Sequence, residues 1–188
     1  MPATHRRTRL VGLVIVVTTV LSATGCGSKT QPAAVPSAAP PVPYVVKLAT
    51  VTGRLSSPAR KAVRARVGTV VRGWWQEAYL RPGATDVFAA FTPGAAKLAR
   101  RDADLLSDPH RADGTVAPVR QLVDLDVLAV KGRAVGVTAR IHLTYDRSAT
   151  ATSRCGVGGT VSLVPTGGVW RIFGYDVTRT CHPRKAGS

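Results

Sequence analysis

Apolar and polar positions change their spacing three times along this chain. Leu10 to Leu21 is a predominantly apolar run. Between Ala59 and Ala78 the apolar residues Ala59, Val63, Val67, Val70, Val71, Trp74 and Ala78 recur at helical spacing. Arg60, Lys61, Arg64, Arg72 and Gln76 fall largely on the other side, which predicts an amphipathic helix of about six turns with one face made for a sheet. Ser57 suits its N-cap, Pro58 its first position, and Pro82-Gly83 its stop. Gly68 and Gly73 each weaken it by about 1 kcal/mol relative to Ala, and leave room for a strand to come close. Thr85-Asp86 can cap Val87 to Phe91, and Thr92-Pro93 opens a further helix to about Leu106. Ser107 to Pro118 reads as a polar loop.

After Pro118 the period becomes two. Val123, Leu125, Val127 and Ala129 share one side of Val119–Val130. Val137, Ala139, Ile141, Leu143 and Tyr145 then alternate with Thr138, Arg140, His142 and Thr144. Lys131 to Arg133 is the turn candidate between these strands. Gly156–Val164 and Val169–Thr178 follow as strands, joined by Pro165 to Gly168. Tyr44–Thr52 reads either as an opening strand or simply as a first extended segment. Helices followed by about four strands predict an α+β domain over residues 44–181, its N-terminal helices packed on an antiparallel sheet. Residues 182–188 read as a polar tail.

The first apolar run follows Arg6, Arg7 and Arg9 and ends in Ser22-Ala23-Thr24-Gly25 before Cys26. Basic, apolar, small: that order is a secretory signal over residues 1–25. The apolar run is shorter than the ~20 residues a spanning helix needs. The Ala-Thr-Gly-Cys ending resembles the lipobox of bacterial lipoproteins, although Ala23 stands where Leu is commoner. The resemblance implies a diacylglycerol on the Cys26 thiol, cleavage before Cys26, and an extracytoplasmic protein anchored to the cell membrane. Gly27 to Pro43, rich in Pro, Ala and Ser, then reads as a disordered, partly extended linker.

Composition adds a charge of +16 from 26 basic and 10 acidic residues. An anionic lipid surface, wall polyanions or nucleic acid would each be attracted, though no specific nucleic-acid motif is present. With no dense Lys/Arg block after the signal, the excess reads as spread over a solvated surface. Export leaves Cys155 and Cys181 as an even pair for a structural disulfide. A hairpin turning on residues 165–168 puts Val164 opposite Val169 and the two cysteines a few residues from opposition. A bulge or the irregular end of the hairpin would close that difference.

The order of a long helix, shorter helices and an antiparallel sheet resembles the NTF2-like (SnoaL-like, cystatin-like) superfamily. FTPGAAKLARRDADLL and WRIFGYDVTR resemble uncharacterised exported members. The resemblance implies a curved sheet closing into a cone that commonly holds small apolar molecules. Trp74, Trp75, Trp170 and Tyr175 are the candidates for lining such a cone. Trp74 and Trp75, being adjacent, cannot both face the core of one regular helix.

Motifs for chemistry are few. The histidines after the signal, His110, His142 and His182, lack metal-ligand spacing, and no hydrolase, zincin or phosphate-loop motif occurs. A three-residue turn at 131–133 makes Asp124 face Arg140 and puts His142 diagonally near Asp124. Asp124 and His142, beside Asp126, are the weak candidates for a general base; a cross-strand ion pair on a solvated face explains them more simply. No cofactor is implied. The sequence therefore reads as a lipid-anchored, non-catalytic module that interacts with envelope proteins or anionic envelope components. A cone-pocket ligand binder is the alternative, and an Asp–His enzyme the weaker one.

Overall fold

The computed structural model describes residues 41–148 and 152–184. The signal at 1–25, Cys26 and the linker as far as residue 40 lie outside the described residues.

Tyr44–Thr52 forms strand β1. Helix α1 spans Ser57–Trp75 and passes into a π-helical turn, Gln76–Leu80. Two short helices follow, α2 at Pro93–Ala99 and α3 at Ala103–Leu106. Strands β2 (Thr115–Val130), β3 (Arg133–Ser148), β4 (Thr152–Thr166) and β5 (Val169–Pro183) complete the fold. All five strands form one sheet in the order β1-β2-β3-β4-β5, so the domain is α+β with five strands rather than about four. β1 pairs parallel to β2, with Tyr44 opposite Gln121. A parallel neighbour needs a long crossover, here the helices, and so leaves no turn signal to announce it.

Caps and turns place the elements. Ser56, one residue earlier than expected, caps α1 by accepting from Ala59 N. Thr92 Oγ1 accepts from Ala95 N and caps α2. The helix expected to reach Leu106 breaks after Ala99, because Leu98 O accepts from both Arg101 N and Asp102 N in a tight turn. Contacts with β5 hold that break: Tyr175 donates to Asp102 and Arg179 Nε to Asp104 O.

Both hairpin turns are two residues long, with positive φ at Lys131 and Gly132 and at Gly167 and Gly168. Each then needs one bulge. The first leaves Val135 unpaired and the second Phe173. The second offset brings Cys155 opposite Cys181, and their sulfurs are bonded at 2.04 Å. β2 starts at Thr115, inside the expected loop. Pro118, which has no N–H, sits where its pairing shifts. β5 runs to Pro183, two residues past the expected domain end, because His182 and Pro183 pair with Arg154 and Ser153.

One face of the sheet and the helices above it make the core: Val123, Leu125, Ile141, Leu143, Tyr145, Val161, Leu163 and Ile172 below, Val67, Val71, Trp74, Trp75 and Tyr79 above. α1 touches β1, β3 and β5, so it lies across the sheet. Gly68 lets it descend: a Cβ there would stand 3.0 Å from Val46. Both Trp74 and Trp75 are buried, against the expectation for adjacent helical residues. Trp75 lies on the sheet against Tyr145, ring centroids 5.5 Å apart. Trp74 is covered from the other side by Phe91 at 6.0 Å. The 86–92 segment roofs the flank of α1 that a lone helix on a sheet would leave open.

Candidate functional site

The most unusual group inside the fold is Asp108, which is fully buried. Tyr145 donates its hydroxyl to Oδ2 at 2.7 Å. Arg147 Nη1 donates to Oδ1 at 3.0 Å, and Arg179 Nη1 lies 3.3 Å from the same oxygen. The His110 N–H supplies a further donor at 3.0 Å, and Asp108 N donates to Ala78 O. Burial, then the bond to Asp108, pushes the Tyr145 hydroxyl well above its ordinary range. Burial raises Tyr79 likewise; its hydroxyl donates to Leu105 O at 2.7 Å. Asp108 thus fastens the segment after α3 to β3 and β5, with its acceptor positions occupied by the protein's own donors. Nothing in the local sequence marks it, because its partners lie 37 to 39 residues away on β3 and further still on β5.

The Asp124–His142 pair is on the opposite face of the sheet. Asp124 stands opposite Arg140, and His142 opposite Leu122. Arg140 turns to Asp126, donating through Nη1 to Oδ2 at 2.5 Å. His142 is exposed, and among the described residues no hydrogen bond joins it to Asp124. The geometry there is a cross-strand ion pair on a solvated face.

Of the four aromatic candidates, the structure brings Trp74 and Trp170 together and separates the others. These two border a groove of about 360 Å³ with Val70, Gly73, Val87 and Ala90, rimmed by Glu77, Asp86 and Arg171. Trp74 Nε1 is buried and has no hydrogen-bond partner. Trp75 is in the core, where its Nε1 donates to Gln121 Oε1 at 3.1 Å and Gln121 Nε2 donates to Val42 O. Tyr175 packs against Phe91 and donates to Asp102; burial, then Asp102, pushes its hydroxyl up to about 12.

The two bulges create a feature that sequence alternation does not reveal. Val135 and Phe173 turn apolar side chains outward beside Leu128, and with Val164 they border a shallow hollow of about 300 Å³ on the outer face. Phe173 is 50% exposed and Leu128 49%. Val130 and Val169, at the ends of the adjacent turns, are exposed as well.

Among the described residues no cluster of His, Cys, Asp and Glu could hold a metal ion, and no helix is long and apolar enough to cross a membrane. Comparison with protein-family models, curated proteins and solved structures found no match.

Proposed function

We propose that this chain is an extracytoplasmic module, lipid-anchored to the cell membrane through Cys26, that works without catalysis by docking an envelope protein. The observation that carries the docking is the outer apolar hollow of Val135, Phe173 and Leu128. Exposed apolar side chains grouped on one face mark interaction sites more often than scattered ones do. The inner face supports the same reading, since Trp75, Tyr79 and Tyr145 fill the space between α1 and the sheet. The disulfide between β4 and β5 fits an oxidising compartment. A helix laid across a five-stranded, bulged sheet is also what supports the NTF2-like reading of the fold.

A photo-crosslinking phenylalanine analogue at position 173, in the membrane-attached protein, tests the docking. It should capture one or a few defined envelope proteins that the same group at Lys97 does not capture. Identical general membrane proteins from both positions would contradict it.

A second reading has its own observation. The groove that Trp74 and Trp170 border with Val70, Val87 and Ala90 suits a small apolar molecule. Native mass spectrometry of the membrane-extracted protein tests it: a retained small molecule, lost on Trp170→Ala, supports it, and a bare protein counts against it.

A further inference from the structure

Charge is segregated along this chain rather than spread. All ten acidic residues follow Gln76. β1, the turn after it and α1 carry Lys47, Arg54, Arg60, Lys61, Arg64, Arg66 and Arg72 with no Asp or Glu among them. Among the described residues, none of the five cations of α1 takes part in an ion pair. Arg60 donates to Leu55 O, and Arg72 lies 4.5 Å over the Tyr44 ring.

Lys61, Arg64, Gly68 and Arg72 recur at spacings of three and four, so they form one stripe about 16 Å long. It runs along the β1 flank of α1. Arg64 and Arg72 border a hollow with Tyr44, and Arg60, Lys61 and Arg64 border the next one with Leu48. Tyr44 opens β1 at this flank and donates its hydroxyl to Gly68 O at 3.0 Å.

We infer that this stripe is the face on which the domain rests against an anionic phospholipid bilayer, the one that carries its anchor. The inference rests on the lipid-anchor reading of Cys26. Residues 27–43 hold the stripe near that surface at high effective concentration. Each cation within a Debye length, about 8 Å at physiological salt, adds attraction to anionic headgroups. Docking breaks no ion pair within α1, and the long Lys and Arg stems reach headgroups while the helix stays on the sheet. Because α1 covers the inner face, the stripe and the outer hollow of Leu128 and Phe173 lie on opposite sides of the sheet.

The test uses the wild-type protein extracted from membranes and reconstituted into vesicles of phosphatidylcholine, with or without phosphatidylglycerol. A water-soluble amine reagent labels exposed lysines, and peptide masses read each site. Lys61 should be labelled on the order of tenfold less on phosphatidylglycerol vesicles, with labelling restored by high salt and by a triple change of Arg60, Arg64 and Arg72 to Gln. Lys97 and Lys131, both exposed, should label alike on the two vesicles. Equal labelling of Lys61 on both vesicles overturns the inference, and so does equal protection of all three lysines. Protection that appears only when a soluble wall polyanion is added also overturns it, in favour of that partner. A protein that leaves both vesicles in high salt indicts the anchor instead, whatever Lys61 shows.

Discussion

Cys155 lies directly opposite Cys181 on neighbouring strands, and the bulge that leaves Phe173 unpaired sets that register. The bond closes a loop over a separation of 26 residues. In the chain-entropy account such a loop adds about 3–4 kcal/mol. Reduction, or Cys155→Ala with Cys181→Ala, should lower the unfolding free energy in urea by that amount. An unchanged urea midpoint would contradict it.

Asp108 should matter far more to stability than any other acid here. Asp108→Asn leaves Arg147 and Arg179, side chains 19% and 16% exposed, without their counter-charge. Breaking a buried pair from one side costs about 3–5 kcal/mol. Asp124→Asn and His142→Ala, on the solvated face, should each change stability by less than about 1 kcal/mol. Urea unfolding of the three variants checks the contrast. Losses of similar size would mean that Asp108 is not the fastening point.

Two glycines should respond in opposite directions to alanine. Gly73 sits in α1, and the methyl group of an alanine there would meet nothing within 4 Å. Gly73→Ala should therefore gain about 1 kcal/mol of helix propensity. Gly159 has φ +128° and a Cβ there would stand 2.1 Å from Asp176 O. Gly159→Ala should cost about 1–3 kcal/mol or more through backbone strain. Thermal melts of both variants decide it.

The strands and α1 were legible because alternation and helical spacing repeat over many residues. Val137 to Tyr145 bury every position their period selects, and on α1 Val63, Val67, Val71 and Trp74 are buried with Val70 half-buried. Asp108 was not legible. One buried carboxylate has no period, and Ser107 to Pro118 reads as a polar loop. Trp74 and Trp75 misled for a related reason: periodicity describes one helix on one sheet, and Phe91 adds a second cover. The basic side of α1 was legible from its spacing, but not its freedom from ion pairs, since that depends on which acids come near it in the fold. The outer hollow depends on two bulges, and alternation counts straight through a bulge.

Acid should loosen the end of the sheet where Asp146 holds two arginines. Arg154 donates to it at 2.7 Å and Arg184 Nη1 at 2.9 Å. The Arg154 hydrogen bonds hold the Asp146 carboxyl below its ordinary value, with burial opposing and both arginine charges adding to the effect. A folded value below the unfolded one, about 4, gives stability that is complete above that pH and is lost as pH falls through the folded value. Wild type should therefore lose its advantage over Asp146→Asn on going from pH 7 to pH 2. A constant difference across that range would contradict the assignment.

Intact mass spectrometry of the membrane-extracted protein decides whether this module is anchored through Cys26. The expected chain begins at Cys26, carries lipid there, and is two hydrogens lighter for Cys155–Cys181. Cys26→Ser should remove the lipid and release the protein from the membrane fraction. An unlipidated chain that starts elsewhere, with Cys26 free or removed, would rule out the anchor.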